Sequence, residues 1–165
     1  MESHQGKVAA KPKIHDAAGA VRVGETVAGP LELPLADARV TQVRSDHAFS
    51  LVLDEEPPGR QWIVRVEGPF SLADGEHRTA TFGENARPSA WGEAIDALLH
   101  ATLVTGSVAP DGTLTLSFDR GQRMEVLPQE QWEAWQVTGP GEVLVVCGPG
   151  GQLSRWPTQH AQEAS

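Results

Sequence analysis

The run Ala48-Phe49-Ser50-Leu51-Val52-Leu53 sets Phe49, Leu51 and Leu53 on one face of a strand, because side chains alternate along a pleated chain. Before it, residues 38–44 alternate more weakly, and Ser45-Asp46 supplies a polar turn between the two. After it, DEEPPGR (residues 54–60) makes a longer loop ahead of a third alternating run, residues 61–67. Three strands joined by short turns predict an antiparallel meander.

The same layout returns further on. ATLVTGSVA (residues 101–109) is followed by Pro110-Asp111-Gly112, a strand over 113–118, a turn, and a strand over 123–127. Setting Asp46 on Asp111 brings Phe49 onto Leu114, Leu51 onto Leu116, Leu53 onto Phe118 and Asp54 onto Asp119. An internal repeat and two similar hairpins in one sheet both fit this pattern, and periodicity alone does not separate them. Between the meanders, residues 89–100 predict one helix, with Ser89 as N-cap and Trp91, Ile95, Leu98 and Leu99 on its apolar face. One helical turn over 128–133 and short strands over 134–138, 143–147 and 152–156 complete the reading. The expected fold is α+β, mainly antiparallel β, with two three-stranded meanders and one covering helix.

A chain of 165 residues with 17 Gly, 12 Pro and 39% apolar residues suits one domain of many short elements. Residues 1–34 read as a flexible tail, 35–157 as the single domain and 158–165 as a frayed end. Val21 to Leu35 is the part of the tail apolar enough to lie against the domain, with Pro30 and Pro34 arguing against a central strand there. The net charge is −9; residues 1–24 hold Lys7, Lys11, Lys13 and Arg22 against Glu2 and Asp16, a net +2 that leaves −11 on the remainder. Such a field repels phosphate backbones and anionic lipid, so neither nucleic acid nor membrane is expected as a partner. The single cysteine forms no internal disulfide and fits a reducing compartment. With a polar beginning and no run of ~20 apolar residues, a cytoplasmic location is expected.

Chemistry-bearing residues are few. Cys147 precedes Gly148-Pro149-Gly150-Gly151, a setting for a nucleophile beside turn N–H groups if His47 or His100 reaches it. It also follows Val143-Leu144-Val145-Val146, which reads as a buried strand ending in a small apolar residue. The histidines at 4, 15, 47, 77, 100 and 160 have no metal-ligand spacing, so no metal or cofactor is expected. The glycine-rich stretch lacks the Gly-Lys-Ser/Thr ending of a phosphate loop and the dinucleotide fingerprint. Asp54, Glu55 and Glu56 share one loop, and Glu130 and Glu133 flank Trp132, with Trp135 three residues beyond it. These carboxylates read as a solvated face; a tryptophan exposed among them reads as a protein-binding hot spot, and one turned inward as part of the core.

The segments VRVEGPF (64–70), GTLTLSFDRGQRMEV (112–126), EAW (133–135) and CGPGGQLSRW (147–156) together resemble an uncharacterised family of small bacterial β-rich domains, over residues 38–156. The resemblance implies a shared fold and no activity. The hairpin and the Glu-Ala-Trp segment also resemble parts of toxin-immunity proteins, which implies inhibition of a basic partner. The leading expectation is a noncatalytic protein-binding module for a basic protein, contacting it through Asp54, Glu55, Glu56, Trp132 and Trp135. Two other readings stay open: a hydrolase or transferase using Cys147, and a half-barrel holding a small ligand between sheet and helix.

Overall fold

The computed structural model describes residues 13–15, 21–45, 48–56, 59–76, 79–82 and 88–157. The start of the expected tail, Asp46 of the predicted turn together with His47, and the expected frayed end lie outside the described residues. In chain order the strands are β1 (Lys13–His15), β2 (Val21–Val23), β3 (Glu25–Val27), β4 (Leu31–Glu32), β5 (Arg39–Arg44), β6 (Phe49–Asp54), β7 (Gln61–Val66), β8 (Phe70–Ala73) and β9 (Thr79–Phe82). Helix α1 (Pro88–Asp96) follows, then β10 (Leu103–Val108), β11 (Leu114–Phe118), β12 (Arg123–Val126), β13 (Trp135–Gly139), β14 (Val143–Cys147) and β15 (Leu153–Trp156).

Both predicted meanders form, and they lie in different sheets. Among the described residues β5-β6-β7 belong to a seven-stranded sheet ordered β3-β15-β14-β13-β7-β6-β5, and β10-β11-β12 to a six-stranded sheet ordered β4-β10-β11-β12-β8-β9. Each meander is followed by a hairpin that crosses to the opposite sheet. There β8 pairs with β12, and β13 pairs with β7. The two halves, β5 to β9 and β10 to β14, therefore follow one plan and interlock. Over β6 and β11 the register agrees with the alignment made from sequence, whereas β5 and β7 match β10 and β12 only with turns of different length. The row Phe49, Val66, Trp135, Cys147 crosses one sheet, and Leu114, Val126, Phe70, Phe82 crosses the other.

The halves meet at a seam where the same contacts are made twice. Val40 N–H donates to Ala101 C=O, and Leu103 N–H donates to Ala38 C=O. His100 N–H donates to Val40 C=O, and Asp37 N–H to Leu103 C=O. Asp37 and His100 both adopt left-handed backbone, with φ of 75° and 73°. Each meander is also bulged just past the seam, between Val40 and Gln42 and between Leu103 and Thr105. A bulge inserts one extra residue and bends its strand, so matching bulges give both halves the same curvature.

Alternation explains why these runs close into one core. Phe49, Leu51, Leu53, Leu114, Leu116 and Phe118 all face inward and are buried in a single apolar cluster drawn from both sheets. Phe70 ties the sheets together, its ring 4.7 Å from that of Phe49 and 5.1 Å from that of Phe82. Burying such side chains contributes about 1.5–3 kcal/mol each against leaving them in water.

The residues assigned to the tail are built into the sheets from Glu25 onward. Leu31, Leu33 and Leu35 alternate, and Leu33 and Leu35 are buried, Leu33 N–H donating to Gly106 C=O. Strand β3 is held to β15 by a Glu25–Arg155 ion pair at 2.6 Å. The prolines retain their meaning, since β3 and β4 are edge strands, where a missing N–H is tolerated. The predicted helix is shorter than residues 89–100: α1 ends at Asp96 and is broken at Gly92, whose φ of 35° and ψ of −132° are not helical. Ile95 and Leu98 reach the core as expected, whereas Leu99 is exposed. Residues 127–134 form an irregular connection in place of a helical turn. The carbonyls of Gln129 and Ala134 accept from Gly150 and from Glu67 and Gly68, in place of the N–H groups a helical turn would bring to them.

Candidate functional site

The motif-like segments converge on one structural knot. Ala134 N–H donates to Cys147 C=O while Ala134 C=O accepts from Glu67 and Gly68, so the EGPF, EAW and CGPGG segments are stitched by main-chain bonds. The turn at Asp111-Gly112 packs against Gly151, where any side chain would collide with the Asp111 carbonyl and where φ is 85°. The Asp111 carboxylate accepts from Thr113 N–H at 2.9 Å, which holds its pKa below the usual carboxylate value.

Cys147 sits inside this knot. It is fully buried, with Sγ 3.5 Å from Gly112 C=O, and burial, with help from the Asp111 and Glu133 charges, pushes its pKa up to about 11. A nucleophile needs the reverse shift, because the thiolate is the reactive species. His100 stands at the seam beside Val40, and Val40 pairs with Leu53, at the far end of β6 from the row that holds Cys147. His47 lies outside the described residues. The structure thus gives this thiol the surroundings of a packing group.

Trp135 corrects an expectation. It is completely buried, and its indole N–H donates to Gly112 C=O at 2.9 Å, so it cannot touch a partner. Its spacing from Trp132 straddles the start of a strand, which turns the two rings to different environments. Trp132 is 48% exposed and shares its connection with Leu127, 56% exposed, and with exposed Glu130 and Glu133.

The acidic loop lies elsewhere. Asp54 accepts from Gln61 Nε2 at 3.1 Å, and Glu55 accepts from the Trp62 indole N–H and from Arg60 Nε. The Trp62 bond, and then Arg60, hold the Glu55 carboxyl below the usual range. Asp54, Glu55 and Gln61, with Glu56, Asp37, Arg39 and Thr102, border an open cleft of about 720 Å³. Strand β7 separates this cleft from the Trp132 connection, about 17 Å over its five steps. The predicted contact residues therefore lie at opposite ends of β7. Sequence reading missed Asp37, whose seam position shows only once the repeat is extended back to His100.

A second cavity, of about 400 Å³, opens between α1 and strands β8 and β9, lined by Leu72, Asp74, Ala80, Glu93, Ala97 and Gln122, among others. Among the described residues no three His, Cys, Asp or Glu side chains gather as a metal site, and no helix is long and apolar enough to cross a membrane. No curated protein and no solved structure matches the chain. A family model does match, over residues 31–157, from the first edge strand of the six-stranded sheet to the residue after β15. The chain belongs to that family, DUF6188, a family of unknown function.

Proposed function

We propose that the chain is a noncatalytic binding protein that docks a basic protein through residues 127–133. One observation carries this reading: Leu127 and Trp132 are exposed on the connection that, in the other half of the fold, is made by residues 67–69 alone. The fold closes with the shorter link, so the longer one carries apolar surface that packing does not require. Tryptophan is enriched among residues that dominate binding energy, and exposed Glu130 and Glu133 give it an acidic rim. The net charge of −9 steers a cationic partner toward the molecule. Immunity-type inhibition of a basic toxin is one form of this reading.

The test uses wild type and Trp132→Ala as paired baits in an extract of the native host. The proposal expects a basic protein held by wild type, released by added salt, and bound at least ~10-fold more weakly by Trp132→Ala, the scale of a hot-spot loss. Equal retention by both baits, or none at low salt, would overturn it.

A further inference from the structure

We infer that the cavity between α1 and the β8-β9 edge is a binding site for a compact aromatic amine that carries a ring N–H. The internal repeat shows what the cavity lacks. Continuing the pairing of β7 with β13 places Trp62 opposite Gly139, and the indole lies flat on that glycine, leaving no room for a side chain. Continuing the equivalent pairing of β12 with β8 places Gln122 opposite Asp74. Gln122 is thus the counterpart of Trp62. Ala80, across from Leu72, is the counterpart of Val145, across from Val137. Both positions carry smaller side chains than their counterparts, and both line the cavity. Its volume is within the range of small-molecule sites.

The polar groups say what the occupant must offer. Gln122 is 5% exposed; its Nε2 donates to Ala97 C=O at 2.9 Å, which fixes the amide orientation, and its Oε1 is buried with no hydrogen-bond partner. A buried acceptor left unsatisfied is costly, and a ligand donor removes that cost once a small shift of the Gln122 side chain opens Oε1, which is closed to solvent here, to the cavity. In the other half the Trp62 N–H reaches a carboxylate, Glu55. Here the aromatic ring would come from the ligand and the acceptor from Gln122. Asp74, which accepts from Glu76 N–H, and Glu93 also line the cavity, and their charge favours a cation over an anion. The walls of Leu72, Ala80, Ala94 and Ala97 suit an apolar ring. The site lies at the Arg123 end of β12, the opposite end from residue 127, so it is separate from the proposed protein-docking connection.

Tryptamine is the probe, titrated into the full chain while backbone amide resonances are followed by NMR. Saturable shifts at Ala80, Ala94, Ala97 and Gln122 are expected, with 1-methyltryptamine, which lacks the ring N–H, binding ~10-fold more weakly. Indole-3-propionate, an anion of similar size, should bind more weakly still. Gln122→Met, close in volume but without the acceptor, should reduce tryptamine to the level of its methylated analogue. Gln122→Trp should fill the space and abolish binding. No shifts at these amides, or equal affinity for tryptamine and 1-methyltryptamine, would overturn the assignment. The comparison of the two amines uses wild type alone, so it decides the matter even if a variant does not fold.

Discussion

The half of the molecule that runs from β5 to β9 and the half from β10 to β14 share a strand plan, a bulge position and a pair of left-handed residues, yet three of their differences expose surface or open volume. Trp62 is the counterpart of Gln122, Val145 that of Ala80, and the connection over 67–69 that of the one over 127–134. What the halves share accounts for the fold, because it consists of inward apolar alternation and the backbone seam. Where they differ lie both an exposed tryptophan and an unfilled cavity. Symmetry is a baseline here, and departures from it mark surface or volume that packing does not explain.

The largest expected effects test what is shared. Trp135 and Phe70 occupy equivalent places in the two crossing hairpins, and both are buried. Trp135→Ala and Phe70→Ala should each destabilise by about 3–5 kcal/mol in urea unfolding, the range for emptying a large aromatic site. A cost below ~1 kcal/mol for either would break the equivalence.

A somewhat smaller effect tests the main difference. Trp62→Gln copies the second half into the first and should cost about 3 kcal/mol, through the cavity and the lost indole bond to Glu55. Gln122→Leu should be close to neutral, since it removes a buried acceptor that has no partner along with one amide bond to Ala97. Equal losses for the two variants would contradict the reading of one site as filled and the other as open.

Much of this arrangement was legible in the sequence. Period-two apolar runs marked both meanders, and the alignment of Phe49 on Leu114 predicted their common register. Carried unbroken past the turn, the same alignment sets Leu127 on Trp62; only the structure shows that the second turn is five residues shorter and that Gln122 holds the equivalent place. The crossing of β8 and β13 was not legible, because alternation says which face is apolar and nothing about which neighbour a strand chooses. The edge strands β3 and β4 were hidden by Pro30 and Pro34, although Leu31, Leu33 and Leu35 alternate. Trp132 and Trp135 looked alike because their environments are set by where a strand begins, and element boundaries are the weakest part of pattern reading.

Titration offers a subtler contrast. Cys147 and Phe82 are counterparts, and only the thiol ionises. Its pKa is raised in the folded state to about 11, so its contribution is present below the unfolded value of ~8.5 and is lost as pH climbs toward 11. Stability of wild type should fall over that window, and Cys147→Val should flatten the decline. Glu55 has the opposite sign: its pKa is lowered by Trp62 and Arg60, so its contribution is present above the usual carboxylate value and fades as the solution is acidified through the lowered one. Glu55→Gln should reduce acid sensitivity. The smallest effect belongs to the seam. Asp37→Gly and His100→Gly each relieve left-handed backbone strain against the entropy of glycine, and should shift stability by a few tenths of a kcal/mol in the same direction.

The interlocking of the halves is tested most directly by interstrand nuclear Overhauser effects in the folded chain. Contacts between the backbones of Val64 and Val137 and between those of Met124 and Leu72 are expected. Contacts between Val64 and Leu72 backbones instead, with β8 returning beside β7 in the same sheet, would contradict the crossing and with it the equivalence of Trp62 and Gln122.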